Sequence, residues 1–291
     1  MKLYGAIVVY NEEPIVKYVM PYLMRYGFDK LYIYDDGSTD GTIDLIKSYN
    51  CDFIEFRDFS AYREMDKMFD MCKAQMYIDL FLDGKKESEE TGDDVWVYHS
   101  DFDEVLFYYD EELTLKSFIE NNFDFHCNYY CNRMVNLICG DDCVDMEKEG
   151  KLPHMAQGTK CFYWNYWGQK VVLLKCNDFK RTNLRFGCGN HFLNICVEDG
   201  KEPKNLENVK LVYSFHLKYF NYEYYAYKNN KNKGRGLFYY DGCEYLKKSY
   251  ENKISVSFPI EMFYALYGFF NNELPRFEWG GQIIGDLNIN N

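Results

Sequence analysis

The sequence predicts an α/β fold built on a Rossmann-like sheet flanked by helices. Two observations carry that reading. Apolar runs of strand length alternate with segments of helical period over the first hundred residues, and the polar clusters Asn11-Glu12, Asp35-Asp36 and Asp101-Asp103 each follow directly on a strand-like run. Such alternation gives parallel strands joined by crossover helices, and ligands in such sheets bind at the carboxyl ends of the strands.

Residues 3 to 10 form a continuous apolar run, the mark of a strand buried on both faces. Asn11 is placed to cap the following helix, with Pro14 in its first turn and Val16, Val19, Met20, Leu23 and Met24 on its apolar face; Gly27 ends it. A second strand, Leu31 to Tyr34, runs into the loop Asp35 to Thr42, and a helix carrying Ile43, Leu45 and Ile46 follows. Phe53 to Phe56 make a third strand. A longer helix then shows Tyr62, Met65, Phe69, Cys72 and Met76 at spacings of three and four. Asp83 to Asp94 reads as a polar surface loop before a buried strand beginning at Val95.

Beyond residue 105 the pattern is less regular. Strands are expected at Phe123–Arg133, Gly158–Trp164 and Lys170–Lys175, with turns near Gly140 and Gly187-Cys188-Gly189, and helices from Asn221 onward. There is no internal repeat and no flexible linker. The expected organisation is one domain over residues 1–220, a nucleotide-binding half (1–105) and an acceptor half (106–220), with a helical extension (221–291) packed on it.

Composition narrows the function. With 291 residues, 47% of them hydrophobic, the chain can bury a substantial core. Its net charge of −13 repels polyanions and argues against a general nucleic-acid partner. No stretch approaches the roughly 18 uninterrupted apolar residues of a membrane span. Eleven cysteines, an odd number, and an N-terminus without a signal-peptide pattern lead to the expectation of a cytoplasmic protein with reduced thiols. Cys127, Cys131, Cys139 and Cys143 form two pairs, wider than zinc knuckles usually show, and ordinary core packing is the default for them. Tyr and Phe number 29 and 23; some of these rings suit a wet groove for sugars, whose C–H faces stack on rings while their hydroxyls need polar partners.

Ser100-Asp101-Phe102-Asp103-Glu104 carries the chemistry. Three carboxylates at the end of a buried strand suit a hard divalent cation, whose remaining coordination is commonly filled by phosphate oxygens and water. Strand geometry continued through this stretch points Asp101 and Asp103 to one face.

Val8-Val9-Tyr10-Asn11-Glu12-Glu13, then Asp35 to Thr42, then Asp101-Phe102-Asp103-Glu104 resemble the nucleotide-sugar glycosyltransferases of family 2, in the branch whose metal motif ends in Asp-x-Asp-Glu. Gly189-Asn190-His191 and Phe215 to Tyr219 match that branch's later landmarks more loosely. The resemblance implies a GT-A fold and an inverting transfer of a sugar from a nucleotide-diphosphate donor, with UDP the expected nucleotide, to a glycan or glycolipid. It implies that Tyr10, Asn11 and Glu12 meet the donor base and ribose, that Asp36 lies near the nucleoside, and that Asp101 approaches the ribose or the metal. Asp103 would bind Mn2+ or Mg2+, with His216 as a further ligand.

Lys233 and Arg235, in the basic glycine-rich run Lys231 to Gly236, suit a second clamp on the diphosphate. Inversion calls for a general base. His191, Asp141, Asp142 and Asp178 all fit, no motif selects among them, and His191 leads because Gly189 and Asn190 flank it. The aromatic run from Tyr213 to Tyr227 suits an acceptor platform, or peripheral docking on a membrane bearing the acceptor. The rival readings are a sugar-nucleotide nucleotidyltransferase, which would carry a basic glycine-rich signature where this chain has Asn11-Glu12-Glu13, and a non-catalytic glycan-binding relative.

Overall fold

The computed structural model describes residues 1–65, 69–108, 113–122, 129–139, 159–162, 169–178, 185–187, 192–194, 212–217, 224 and 227–228. The chain divides into two compact units: Met1–Arg133 with Gln169–Tyr213, and Met134–Gly168 with Ser214–Asn291.

The first unit is an α/β layer structure. Its chain order is β1 (Lys2–Val9), α1 (Glu13–Arg25), β2 (Lys30–Asp35), α2 (Thr42–Ser48), β3 (Ile54–Asp58), α3 (Ser60–Met65), α4 (Phe69–Thr91), β4 (Val95–Asp101), β5 (Glu104–Tyr108) and α5 (Leu115–Asn122). It continues through the first half of β6 (Tyr129–Cys139), then β8 (Gln169–Lys175), β9 (Arg185–Gly187) and β10 (Phe192–Asn194), with β7 (Thr159–Phe162) falling in the second unit. Six strands lie side by side in the order β3-β2-β1-β4-β8-β6. The first four are mutually parallel, and β8 runs antiparallel to both β4 and β6. The sheet is therefore mixed, with helices on its flanks. β9 and β10 form a separate antiparallel pair.

Alternation along β1 feeds both faces. Tyr4, Ala6 and Val8 join Tyr32, Tyr34, Val95, Val97 and Leu174 under the apolar side of α4, where Met76, Tyr77, Leu80 and Phe81 are buried. Leu3, Ile7 and Val9, equally buried, point the other way. On α1, Ile15, Val16, Val19, Met20 and Leu23 form the buried stripe, whereas Met24, expected on that stripe, is exposed. Gly27 (φ 72°) follows the last turn, as the sequence requires for a left-handed C-terminal stop.

Two local expectations change. The polar stretch from Asp83 to Asp94 is not a loop, because α4 runs on to Thr91. Its buried face continues through Gly84 and Ser88, residues too small to register as an apolar period. And β4 ends at Asp101, with Phe102 and Asp103 forming a turn into β5, so Asp101 and Asp103 do not share one strand face.

In the second unit, β6 from Met134 onward pairs antiparallel with β7, and β11 (Val212–His216) pairs parallel with it, His216 opposite Asn136. Of the expected helical extension, almost all lies outside the described residues, as do Cys127, Cys143 and the turn at Gly140. Among the described residues no helix is long and apolar enough to cross a membrane.

Candidate functional site

The strand order locates the site. From β1 the chain winds outward through β2 to β3, then returns to place β4 on the opposite side of β1. The winding direction thus reverses between β1 and β4, and open α/β sheets bind ligands at such a reversal, outside the carboxyl ends of the strands. Val8 of β1 is in register with Asp101 of β4. Tyr10-Asn11-Glu12 and Asp101 to Glu104 therefore leave the sheet from adjacent strands on the same edge, and Asp35-Asp36 leaves from β2 beside them.

The loops after β1 and β2 are laced together. Asn11 adopts φ 51°, and its side-chain oxygen accepts from the backbone N–H of Thr39 at 2.7 Å and of Asp40 at 3.4 Å. Asn11 N–H donates to Ser38 Oγ (3.0 Å) and Glu12 N–H to Thr42 Oγ1 (2.7 Å). Glu13 accepts from Gly41 N–H at 2.8 Å, in space that a Cβ on Gly41 would occupy. Asn11 thus does not cap α1 with its side chain; Glu12 stands at the cap position and makes no side-chain capping bond. Asp35 holds its own turn by accepting from Ser38 N–H at 2.9 Å. Asp36 has its carboxylate 3.7 Å from Arg63 Nε, and the Arg63 guanidinium lies 5.7 Å from the centre of the Phe69 ring.

At the β4 turn, Phe102, Asp103 and Glu104 are all buried. Asp103 and Glu104 each present a carboxylate oxygen, the two within 4.8 Å of one another. Ser100 Oγ lies 3.3 Å from Glu104 Oε2 and 3.2 Å from its carbonyl, positioned to donate to either. Two preplaced hard oxygen donors fit Mg2+ or Mn2+ better than a soft metal. Asp101, by contrast, is bound by Lys73, whose ammonium donates to Asp101 Oδ1. Lys73 is buried in α4. Burial lowers its pKa, but the charge and hydrogen bond of Asp101 outweigh this and the net displacement is upward.

Of the residues expected at the site, Tyr10, Asn11, Glu12, Asp36, Asp101 and Asp103 gather at this edge of the first unit. His216 ends β11 in the second unit, half-buried. His191, Lys233 and Arg235 lie outside the described residues. Sequence reasoning missed Lys73 and Arg63. For Lys73 the signal was present: three, four and seven residues before Met76, Tyr77 and Leu80, it falls on the buried face of α4.

No protein-family model and no curated protein matches the sequence. Solved structures do show similarity. S. aureus TarS aligns at 18% identity over 47% of this chain and 22% of its own, with a TM-score of 0.29. Its 1–349 fragment in complex with UDP aligns at 19% identity over 48% and 36%, with a TM-score of 0.27. Glucosyl-3-phosphoglycerate synthase from Mycobacterium tuberculosis, in complex with Mn2+, UDP and phosphoglyceric acid, aligns at 13% identity over 65% and 60%, with a TM-score of 0.34. The chain thus spans less than two thirds of the length of each of these proteins.

Proposed function

We propose that this chain is a metal-dependent, inverting glycosyltransferase of the GT-A type and of family 2, which moves a hexose from a UDP-sugar to a glycan or glycolipid acceptor. The observation that supports this most directly is the position of the acidic turn: Asp101 to Glu104 leaves the sheet where the winding reverses between β1 and β4, beside Tyr10-Asn11-Glu12 and Asp36. A donor bound there has its nucleoside framed by Tyr10, Asn11, Glu12 and Asp36, and its diphosphate brought to the Asp103 carboxylate.

Asp103 is the proposed primary metal ligand, with Glu104 beside it. When bound, Mn2+ or Mg2+ supplies Lewis-acid neutralisation of the leaving diphosphate. The acceptor hydroxyl attacks the anomeric carbon as the bond from that carbon to the phosphate oxygen breaks, and UDP leaves with the bonding electron pair. His191 is the proposed base that takes the hydroxyl proton, and Lys233 and Arg235 are the proposed clamp over the phosphates. The proposed setting is the cytoplasm, with peripheral contact to a membrane bearing the acceptor.

A donor-hydrolysis screen over nucleotide sugars with Mn2+ tests the reading. We expect release of a nucleoside diphosphate, cut roughly 100-fold or more in Asp103→Asn. Release of pyrophosphate would point to a nucleotidyltransferase. Failure to bind or turn over any donor would leave a non-catalytic relative.

A further inference from the structure

We infer that Tyr26 is a positioning residue for the acidic turn, holding β5 from the end of α1 so that Asp103 and Glu104 present their carboxylates together. The inference rests on the metal-dependent reading above and adds to it what keeps the ligands in place. Leu106 lies two residues beyond Glu104 on β5, and one side-chain hydroxyl serves both of its backbone groups. Tyr26 Oη accepts from Leu106 N–H and donates to Leu106 O at 2.8 Å. A phenol does both at once, since it carries one proton and acceptor lone pairs. Val105 and Leu106 are fully buried, where water is not at hand to replace a lost backbone partner.

Tyr26 is itself a fixed anchor. It caps α1, its N–H donates to Leu23 O at 3.2 Å, and its carbonyl accepts from Lys116 N–H of α5 at 3.0 Å. Its buried ring meets Phe28 and Tyr98 edge-on, at 5.6 and 5.5 Å between centres. Tyr98 extends the hold toward the turn: its hydroxyl lies 3.4 Å from Glu104 O, which Ser100 Oγ also reaches at 3.2 Å. Residues 104 and 106 are thus held by hydroxyls from α1 and β4, and Asp103 directly precedes this anchored segment. The carboxylate oxygens of Asp103 and Glu104 lie within 4.8 Å of one another. Ligands so preplaced bind an ion more tightly, because less ordering is left to be done on its arrival. Loosening β5 forfeits that advantage without touching either carboxylate.

Mn2+ alone, titrated calorimetrically into the full chain and its variants, tests the inference without requiring turnover. Tyr26→Phe keeps the ring and removes the hydroxyl; it is expected to weaken Mn2+ by about tenfold. Tyr98→Phe removes the longer bond and is expected to weaken Mn2+ by roughly threefold. Gly92→Ala, at the opposite end of β4 from the turn, controls for lost stability. It should lower the thermal midpoint and leave Mn2+ affinity within about twofold of the parent. A purely structural role for Tyr26 would make Tyr26→Phe behave in the same way, with a lower midpoint and parental Mn2+ affinity, and that result overturns the inference. Equal weakening of Mn2+ in Gly92→Ala overturns it too, because the effect then follows stability alone. Should Tyr26→Phe fail to fold, Tyr98→Phe decides, and parental affinity there overturns the inference. Absence of any Mn2+ binding by the parent removes the metal reading itself, and this inference with it.

Discussion

Single residues at the sheet edge serve the fold and the site together. Asn11 combines a left-handed backbone with two accepted backbone bonds, so Asn11→Ala should lose both and cost about 1–3 kcal/mol. Asn11→Gly should recover the backbone share, because glycine adopts positive φ freely; urea unfolding of both variants separates the two terms, and equal losses would show that strain contributes nothing. His99 gives a pH signature. Burial alone pushes its pKa down from 6.5 to about 3, so the folded protein keeps it neutral, its ring edge-on to Tyr77 at 4.8 Å. Between pH 6.5 and 3 the unfolded chain binds a proton here that the folded chain does not. Stability must therefore fall as pH falls through that window, by about 1.4 kcal/mol per unit from this residue. His99→Phe should flatten the curve by that amount relative to the parent. Parallel curves for the two proteins from pH 7 to 4 would refute the assignment.

At the scale of elements, α4 shows what the sequence concealed. Gly84 looks like a helix breaker in a charged stretch, yet a Cβ there would lie 2.7 Å from Cys176 Sγ and 3.1 Å from Val95 Cγ1. The helix uses glycine to lie close against β4. Alanine gains up to about 1 kcal/mol in helix propensity, but overpacking costs about 1–3 kcal/mol. Gly84→Ala should thus lower stability on balance, read as a fall in thermal midpoint. Gly92→Ala should also destabilise, by roughly 1 kcal/mol, for a different reason: nothing lies near its Cβ, but its φ is 75° and its N–H closes the helix on Ser88 O at 2.9 Å. An unchanged midpoint in Gly84→Ala would mean that α4 can shift away from Cys176. The four parallel strands were legible because continuous apolar runs and loop residues mark them directly. The second half of α4 was not, because its buried face is built from Gly84 and Ser88 and its exposed face is charged. The turn at Phe102-Asp103 was hidden too, since nothing in those residue types distinguishes a turn from a continuing strand.

Across the whole molecule, the gathering of Tyr10, Asn11, Glu12, Asp36, Asp101 and Asp103 at one edge could be read from sequence because strand order and polarity place strand ends together whatever their side chains do. What those side chains do there could not. The partners of Asn11 and Asp101 come from loops and helices distant in sequence, Thr39 and Lys73. Global charge then yields a last prediction. The chain carries −13, and the turn adds two buried carboxylates where a diphosphate is proposed to bind. Without a divalent ion, UDP meets like charge at short and long range. Its affinity in EDTA should be poor and should improve as salt rises, because screening over a Debye length of about 10 Å at 0.1 M weakens the long-range repulsion. With Mn2+ present, attraction at the site outweighs that repulsion, affinity should rise by about tenfold or more, and added salt should now weaken binding. Titrating UDP at low and high NaCl, with EDTA and with Mn2+, measures both slopes. The same salt slope in the two conditions would mean that the ion does not bridge protein and diphosphate, and that UDP binds away from the acidic turn.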